Sequence, residues 1–260
     1  MLNYLKKHYF YALKFFKLNL QKNKIMRFSY FLKKAVFYLF NKPIIIKEAE
    51  LDYLKILVPG WFEPGHLYCI DYAIKNLNSD KPILEIGTFA GLSTNIILHF
   101  LKKYNKNNLL YTTDWYLNNI KDEDKICDLN NARLACDYLK ESFIRNVKTF
   151  HPKANILSSD LASDDFFAAW DKNEIKNLHG GSFKPKGEIS FAYIDGNHAY
   201  EFAKRDFENV DKLLISGGFL LFDDSADYTN WGSKKLAKEV AKSGNYTLIR
   251  KNPHYFLRKK

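Results

Sequence analysis

The sequence predicts an α/β protein: a doubly wound, mostly parallel sheet that ends in an antiparallel C-terminal hairpin and follows an N-terminal helical extension. Three observations predict it. From about residue 80, short apolar runs alternate with longer amphipathic ones, which is the pattern of successive strand and helix units and so of a parallel sheet covered on both faces. The last two apolar runs, "YTLIRKN" and "HYFLRKK", are joined at Asn252-Pro253 and read as a hairpin. The first 47 residues differ in composition from everything after them.

That first segment holds ten lysines and Arg27 but no Asp or Glu, a net of +11, whereas the rest of the chain balances 29 basic against 29 acidic side chains. The basicity therefore belongs to the extension, and the remainder has the charge of an ordinary enzyme-sized domain. On a helical wheel Lys6, Lys7, Lys14 and Lys17, with Asn3 and Gln21, share one sector, while Tyr4, Leu5, Phe15, Phe16 and Leu18 lie outside it. Lysines break every apolar run well short of the roughly 18 residues that a membrane span needs, and neither a span nor a signal peptide is expected. Residues 1–47 then read as a helix lying on an anionic membrane surface, or as a cap packed on the main domain or on a second copy of the chain. No RNA- or DNA-binding module accompanies the basic run, so nucleic acid is not an expected partner. Cys69, Cys127 and Cys136 are odd in number and lack C-x-x-C spacing, which suggests neither a disulfide framework nor a zinc site and fits a reducing cytoplasm. The expected division is an extension over 1–50 and one domain over 51–260.

Within the domain, "KPILEIG" (81–87) predicts a strand and "LSTNIILHFLKKY" (92–104) a helix, followed by strand "NLLYTTD" (108–114). A less regular section, 115–150, carries a helix around "NARLACDYLKESFIRNV". Strand "ANILSSD" (154–160), helix "SDDFFAAW" (163–170), a loop "NLHGGSFKPKG" (177–187), and strand "EISFAYID" (188–195) come next. Helix "AYEFAKRDFENVDKLL" (199–214), strand "GFLLFDD" (218–224) and helix "SKKLAKEVAKSG" (233–244) lead to the hairpin.

Ligands of open α/β sheets sit at the carboxyl ends of the strands. The acids stand there too: Glu85 in the first strand, then Asp114, Asp195, and the pair Asp223 and Asp224. Gly87 and Gly91 bracket the turn from the first strand into a helix, where small residues admit a ligand and the helix N-terminus favours an anionic group. Phe89 and Leu92 occupy positions that a G-x-G-x-x-G fingerprint would give to glycine, so a nicotinamide cofactor is disfavoured. Adjacent strands lie about 4.8 Å apart, so Asp195, Asp223 and Asp224 can converge on one point. A hard divalent cation, most simply Mg²⁺, would resolve their repulsion.

The run Glu85-x-Gly87-x-x-x-Gly91-x-Ser93 resembles the first motif of the class I S-adenosylmethionine-dependent methyltransferases, in the catechol and macrolide-sugar (macrocin-type) O-methyltransferase-like branch. The resemblance covers roughly residues 60–260, and implies a Rossmann-like fold. It implies that Glu85, Gly87, Thr88, Phe89, Ala90, Gly91 and Ser93 form the S-adenosylmethionine loop, that Asp114 beside Trp115 accepts the ribose hydroxyls, and that Ser159 or Asp160 lies near the adenine. It implies cation ligands at Asp195, Asp223 and Asp224, with Asp195 also bordering the cofactor. His198, three residues past Asp195, matches the position where the sugar-directed members carry a histidine base and the catechol enzymes a lysine. Trp61, Phe62 and His66 are candidates to line the site, although packing is the simpler role for them, and Trp231 is a candidate to border the acceptor.

The expected activity is metal-assisted O-methylation of a sugar or other small diol, a cell-surface glycan or secondary-metabolite precursor. The alternatives are a metal-independent methyltransferase acting on a small molecule such as an amino sugar, and a non-catalytic membrane-docking module of the same fold.

Overall fold

A computed structural model describes residues 24–116 and 132–260. The lysine sector expected over residues 3–21 lies outside them. The chain divides into two units with the boundary between Lys42 and Pro43. The described part of the first is helix α1 (Lys24–Asn41). Leu32, Val36, Leu39 and Phe40 on it are exposed, at spacings that place all four within an arc of about 100°.

The second unit begins with α2 (Ala49–Leu57) and α3 (His66–Lys75) and then alternates. β1 (Ile83–Ile86) leads to α4 (Leu92–Lys103), β2 (Leu110–Thr113) precedes α5 (Ala132–Phe150), and β3 (Ile156–Ser159) leads to α6 (Ser163–Ala169). After a small hairpin, β4 (Ile175–Lys176) and β5 (Ser182–Phe183), come β6 (Ile189–Ile194), α7 (Tyr200–Leu213), β7 (Leu214–Phe222) and α8 (Gly232–Lys242). The terminal hairpin is β8 (Tyr246–Lys251) and β9 (Tyr255–Lys259).

Seven strands form one sheet in the order β3-β2-β1-β6-β7-β9-β8. The five strands from β3 to β7 run parallel, and β9 pairs antiparallel with both β7 and β8. This is the predicted doubly wound sheet with its antiparallel edge. Every residue of β1, β2 and β6 is buried, as expected of strands covered on both faces. Alternate residues of β6 serve two separate cores. Phe191 and Tyr193 pack with Leu67, Ile70, Ile96 and Phe143 from α3, α4 and α5, while Ala192 and Ile194 pack with Phe166, Ala203 and Leu236 from α6, α7 and α8.

Two elements differ from expectation. The segment 177–187, expected as a loop, contains β5, whose Phe183 stacks on Tyr111 with ring centroids 5.9 Å apart. An aromatic anchor thus holds a glycine-rich segment against the sheet. β7 starts at Leu214, directly after α7, and not at Gly218: Leu214 pairs with Ile189 before a register shift, and Gly217 supplies the positive φ of +79° inside the irregular stretch.

The strand order reverses between β1 and β6, whose carboxyl ends therefore open the crevice where a ligand can enter. Ile86 lies beside Ile194, and Ile194 beside Phe222, so the residues just beyond them meet.

Candidate active site

The turn after β1 is built on backbone that few residues tolerate. Gly87 has φ +86°, and a Cβ there would stand 2.0 Å from the Asp195 carbonyl oxygen. The glycine therefore lets the loop lie against the end of β6, a packing reason beside the ligand-access reason expected from sequence. Gly91, with φ +89°, ends the loop and precedes α4; a Cβ there would press on Phe143. Between them Phe89 also has positive φ, +48°. Asp114 holds this shape: its Oδ2 accepts bonds from the backbone N–H of Thr88 and of Phe89, both at 2.7 Å. Tyr116, not anticipated from sequence, donates from its hydroxyl to Phe89 O at 2.9 Å and bonds Thr88 Oγ1 at 2.8 Å. Ala90 O accepts from Asn146 at 2.9 Å.

Glu85 is fully buried beneath the loop, where Thr94 donates to its Oε2 at 2.6 Å. Burial pushes its carboxyl up to about 7, and the Ser93 and Thr94 hydroxyls moderate the rise. Burial likewise raises Asp114, against the pull of the Thr88 and Phe89 amides. Trp115 is half exposed beside Asp114, and Trp61 lies over Phe89 with centroids 4.9 Å apart. Ser159 is buried and gives its hydroxyl to Thr113 Oγ1 at 2.9 Å, while Asp160 pairs with Lys140. Both stand at the end of β3, two strands from β1.

At the ends of β6 and β7 a second group assembles. Asp195, His198 and Asp223 offer ligand atoms that all lie within 4.8 Å of one another. Asp195 accepts a hydrogen bond from Tyr193 Oη at 3.1 Å and is hydrogen-bonded to Asp223. Burial first, then the charge of Asp223, raises the Asp195 carboxyl well above the usual range. Burial would raise Asp223 as well, but the His254 and His66 rings outweigh it and hold that carboxyl well below its ordinary value. Asp224, with φ +47°, turns to His198 Nε2 at 3.4 Å and stands outside the three-residue group. Trp231, half exposed, flanks His198 with centroids 5.6 Å apart.

The third face of Asp223 carries two histidines. His66 Nε2 lies 3.4 Å and His254 Nδ1 2.9 Å from Asp223 Oδ1. His66 was expected as lining or packing; it is fully buried, and Phe62 packs edge-on against it at 5.5 Å. His254 carried no signal of its own. The antiparallel register does: Leu221 pairs with Phe256, and two further steps set Asp223 opposite His254.

The donor set suits a divalent cation. Asp195 and Asp223 bring oxygen ligands from two strands together, Asp224 is adjacent, and the His198 imidazole stands within reach of the same point. The Gly87, Thr88, Phe89 and Gly91 amides are bonded within the protein, so what the loop offers a cofactor is its close backbone approach and the Asp114 carboxylate beside it.

A methyltransferase-domain family profile matches residues 84–225, more than half of the chain. The fold is that of class I S-adenosylmethionine-dependent methyltransferases, and the chain belongs to the methyltransferase-domain family. Among solved structures, an O-methyltransferase from Bacillus cereus in complex with SAH aligns at 14% identity with a TM-score of 0.51, covering 87% of this chain and 97% of that one. TomG from Streptomyces achromogenes, an O-methyltransferase of tomaymycin synthesis solved with SAM, aligns at 13% identity and TM-score 0.51 over 87% and 96%. CalS11, a TDP-rhamnose 3'-O-methyltransferase of calicheamicin biosynthesis, aligns at 16% identity and TM-score 0.50 over 92% and 96%. No curated protein sequence matches the chain.

Proposed function

We propose that this chain transfers a methyl group from S-adenosylmethionine to a hydroxyl of a sugar or similar small diol, assisted by a divalent cation. One observation carries the reading: Asp195, His198 and Asp223 converge within 4.8 Å at the strand edge against which Gly87 packs. The acceptor and the methyl donor would therefore share one crevice. The Gly87–Gly91 turn and Asp114 would hold the cofactor, whereas Asp195, Asp223 and Asp224 would hold Mg²⁺ or a similar ion. When bound, the cation supplies positive charge that eases ionisation of an acceptor hydroxyl, and the cofactor supplies the sulfonium-borne methyl group. His198 would accept the hydroxyl proton, and Asp224, 3.4 Å from its Nε2, would stabilise the imidazolium. Trp231 offers a flat apolar wall beside the base, a surface suited to a sugar ring. A sugar-directed fold neighbour and a histidine in the base position both favour a saccharide acceptor over a catechol.

The test is calorimetry with S-adenosylhomocysteine, followed by methylation of diol acceptors with Mg²⁺ or EDTA. Asp114→Ala should weaken the cofactor product at least tenfold, about 1.4 kcal/mol. His198→Ala should leave that binding intact and lower turnover by about 10² or more. Products methylated only on nitrogen or carboxylate would refute the acceptor class.

A second reading is a metal-independent enzyme. It is favoured by His254, which already compensates the charge of Asp223. Turnover unaffected by EDTA would establish it.

The +11 extension and the exposed apolar arc of α1 further suggest contact with an anionic membrane surface, where a glycan precursor would be found.

A further inference from the structure

Behind the candidate cation group, His66 and His254 form with Asp223 a second constellation, of which the methyl-transfer reading uses Asp223 alone. It joins three distant pieces of the chain: the start of α3, the end of β7 and the turn between β8 and β9. Their ligand atoms lie within 4.8 Å of one another. His66 and His254 are 0% and 3% exposed, with ring centroids 4.6 Å apart and planes inclined at 75°. The rings thus approach Asp223 from different directions.

The two facing nitrogens differ. His254 Nδ1 lies 2.9 Å from Asp223 Oδ1 and pairs with that carboxylate through a proton that a cation would displace. His66 Nε2 is buried 3.4 Å from the same oxygen and makes no hydrogen bond. The far side of His66 explains this. Its Nδ1 lies 3.2 Å from Tyr193 Oη, and that hydroxyl donates its proton to Asp195 Oδ2 at 3.1 Å. Tyr193 oxygen is therefore the acceptor, Nδ1 carries the imidazole hydrogen, and Nε2 presents a lone pair to a carboxylate oxygen. His66 Nε2 and Asp223 Oδ1 thus face each other as two acceptors in a buried site, and the lone pair left on Nε2 costs free energy unless a cation intervenes. A ring whose outer nitrogen donates to a fixed oxygen while its inner one faces a carboxylate is also the arrangement that metal-ligating histidines adopt.

The spacing agrees. Ligands bound tetrahedrally at about 2.0–2.1 Å stand roughly 3.3–3.4 Å from one another. The His66 separation already has this value, and the His254 separation needs to open by about half an ångström. Two imidazoles and one carboxylate make a nitrogen-rich set that selects Zn²⁺, Co²⁺ or Ni²⁺ over Mg²⁺, unlike the carboxylate-dominated group on the other side of Asp223.

We propose that His66, Asp223 and His254 form a buried site for a borderline divalent cation of the Zn²⁺ class, clamping α3 and the terminal hairpin to the end of β7. The proposal does not rest on methyl transfer, and S-adenosylhomocysteine binding reports on that reading separately.

The full chain, stripped by chelator, is titrated with Co²⁺ and the visible absorption of four-coordinate cobalt is followed, with Zn²⁺ as competitor and thermal melting in parallel. Expected are an intense band that Zn²⁺ displaces, and a rise in melting temperature with Zn²⁺. His66→Gln and His254→Gln should each weaken Co²⁺ binding at least tenfold, whereas His198→Ala and Asp224→Asn should keep the band. X-ray absorption on the Zn²⁺-loaded native chain should show two imidazole ligands, and this decides the matter even if a histidine variant fails to fold. No cobalt band, a band that both histidine variants retain, a band lost with His198→Ala or Asp224→Asn, or fewer than two imidazoles would each overturn the proposal.

Discussion

Glu85 carries a carboxyl that burial shifts from 4.5 to about 7, so its protonation depends on whether the chain is folded. Between those values the folded protein holds a proton that the unfolded chain has lost. Its stabilising contribution is full below about pH 4.5 and is lost as pH rises through about 7, on the order of 3 kcal/mol in all. Glu85→Gln keeps the shape and an acceptor for Thr94 without the charge. Melting curves from about pH 5 to 8 should therefore fall less steeply for the variant than for the native protein. Parallel curves would show that Glu85 does not titrate in this interval. Gly87 makes a different residue-scale prediction. Alanine there meets the Asp195 carbonyl at 2.0 Å and must hold φ +86°, so the loop and the end of β6 cannot keep their present contact. Gly87→Ala should lower stability by about 1–3 kcal/mol and weaken S-adenosylhomocysteine binding. Unchanged melting and affinity would mean that the loop is not held this way. At this scale the sequence exposed what depends on type and spacing: Gly87, Gly91 and the strand-end acids. It concealed what depends on contact. Nothing in the one-dimensional pattern says that Asp114 caps the Thr88 and Phe89 amides, or that Tyr116 braces the same turn.

At the scale of elements, the parallel strands were legible because β1, β2 and β6, buried on both faces, read as continuous apolar runs ended by acids. The hairpin was legible from its turn, but its consequence was not. The fold-back of β9 onto β7 puts His254 beside Asp223 across 31 positions of sequence, an effect of register that no local pattern announces. The same turn fastens the start of the domain. Asn252 accepts from Ile44 N at 2.8 Å and donates to the carbonyls of Ile44 and Gly65, each at 2.8 Å. Gly65 is packed so closely that a Cβ would stand 1.8 Å from Asn252 O. Asn252→Ala strands three backbone groups, and the loss should be about 2–4 kcal/mol, since each partly buried polar group left unpaired costs about 1–3 kcal/mol where water cannot replace its partner. Denaturant unfolding measures it. A loss below about 0.5 kcal/mol would show that water replaces the side chain without penalty.

On the scale of the whole molecule, the net charge is concentrated in one place, and an exposed apolar face lies in the same segment. All of the net +11 lies within residues 1–47, and the described helix there presents Leu32, Val36, Leu39 and Phe40 outward. No helix among the described residues is long and apolar enough to cross a membrane. Each lysine near an anionic leaflet contributes about 1 kcal/mol, and burying a Leu or Phe side chain contributes about 1.5–3 kcal/mol. Either term alone gives weak, reversible adhesion, and the two together give stable attachment. Full-length protein should therefore sediment with vesicles rich in phosphatidylglycerol and not with purely zwitterionic ones. Salt should weaken the binding, because exposed charges are screened within about 8 Å at physiological ionic strength. Leu39→Glu with Phe40→Glu should weaken it at least tenfold while leaving S-adenosylhomocysteine affinity unchanged, since those side chains lie outside the unit that starts at Pro43. Equal sedimentation of native and variant chains would assign the lysines alone to lipid. Sedimentation with neither vesicle would instead make the extension a contact for protein, read out as a concentration-dependent change in mass.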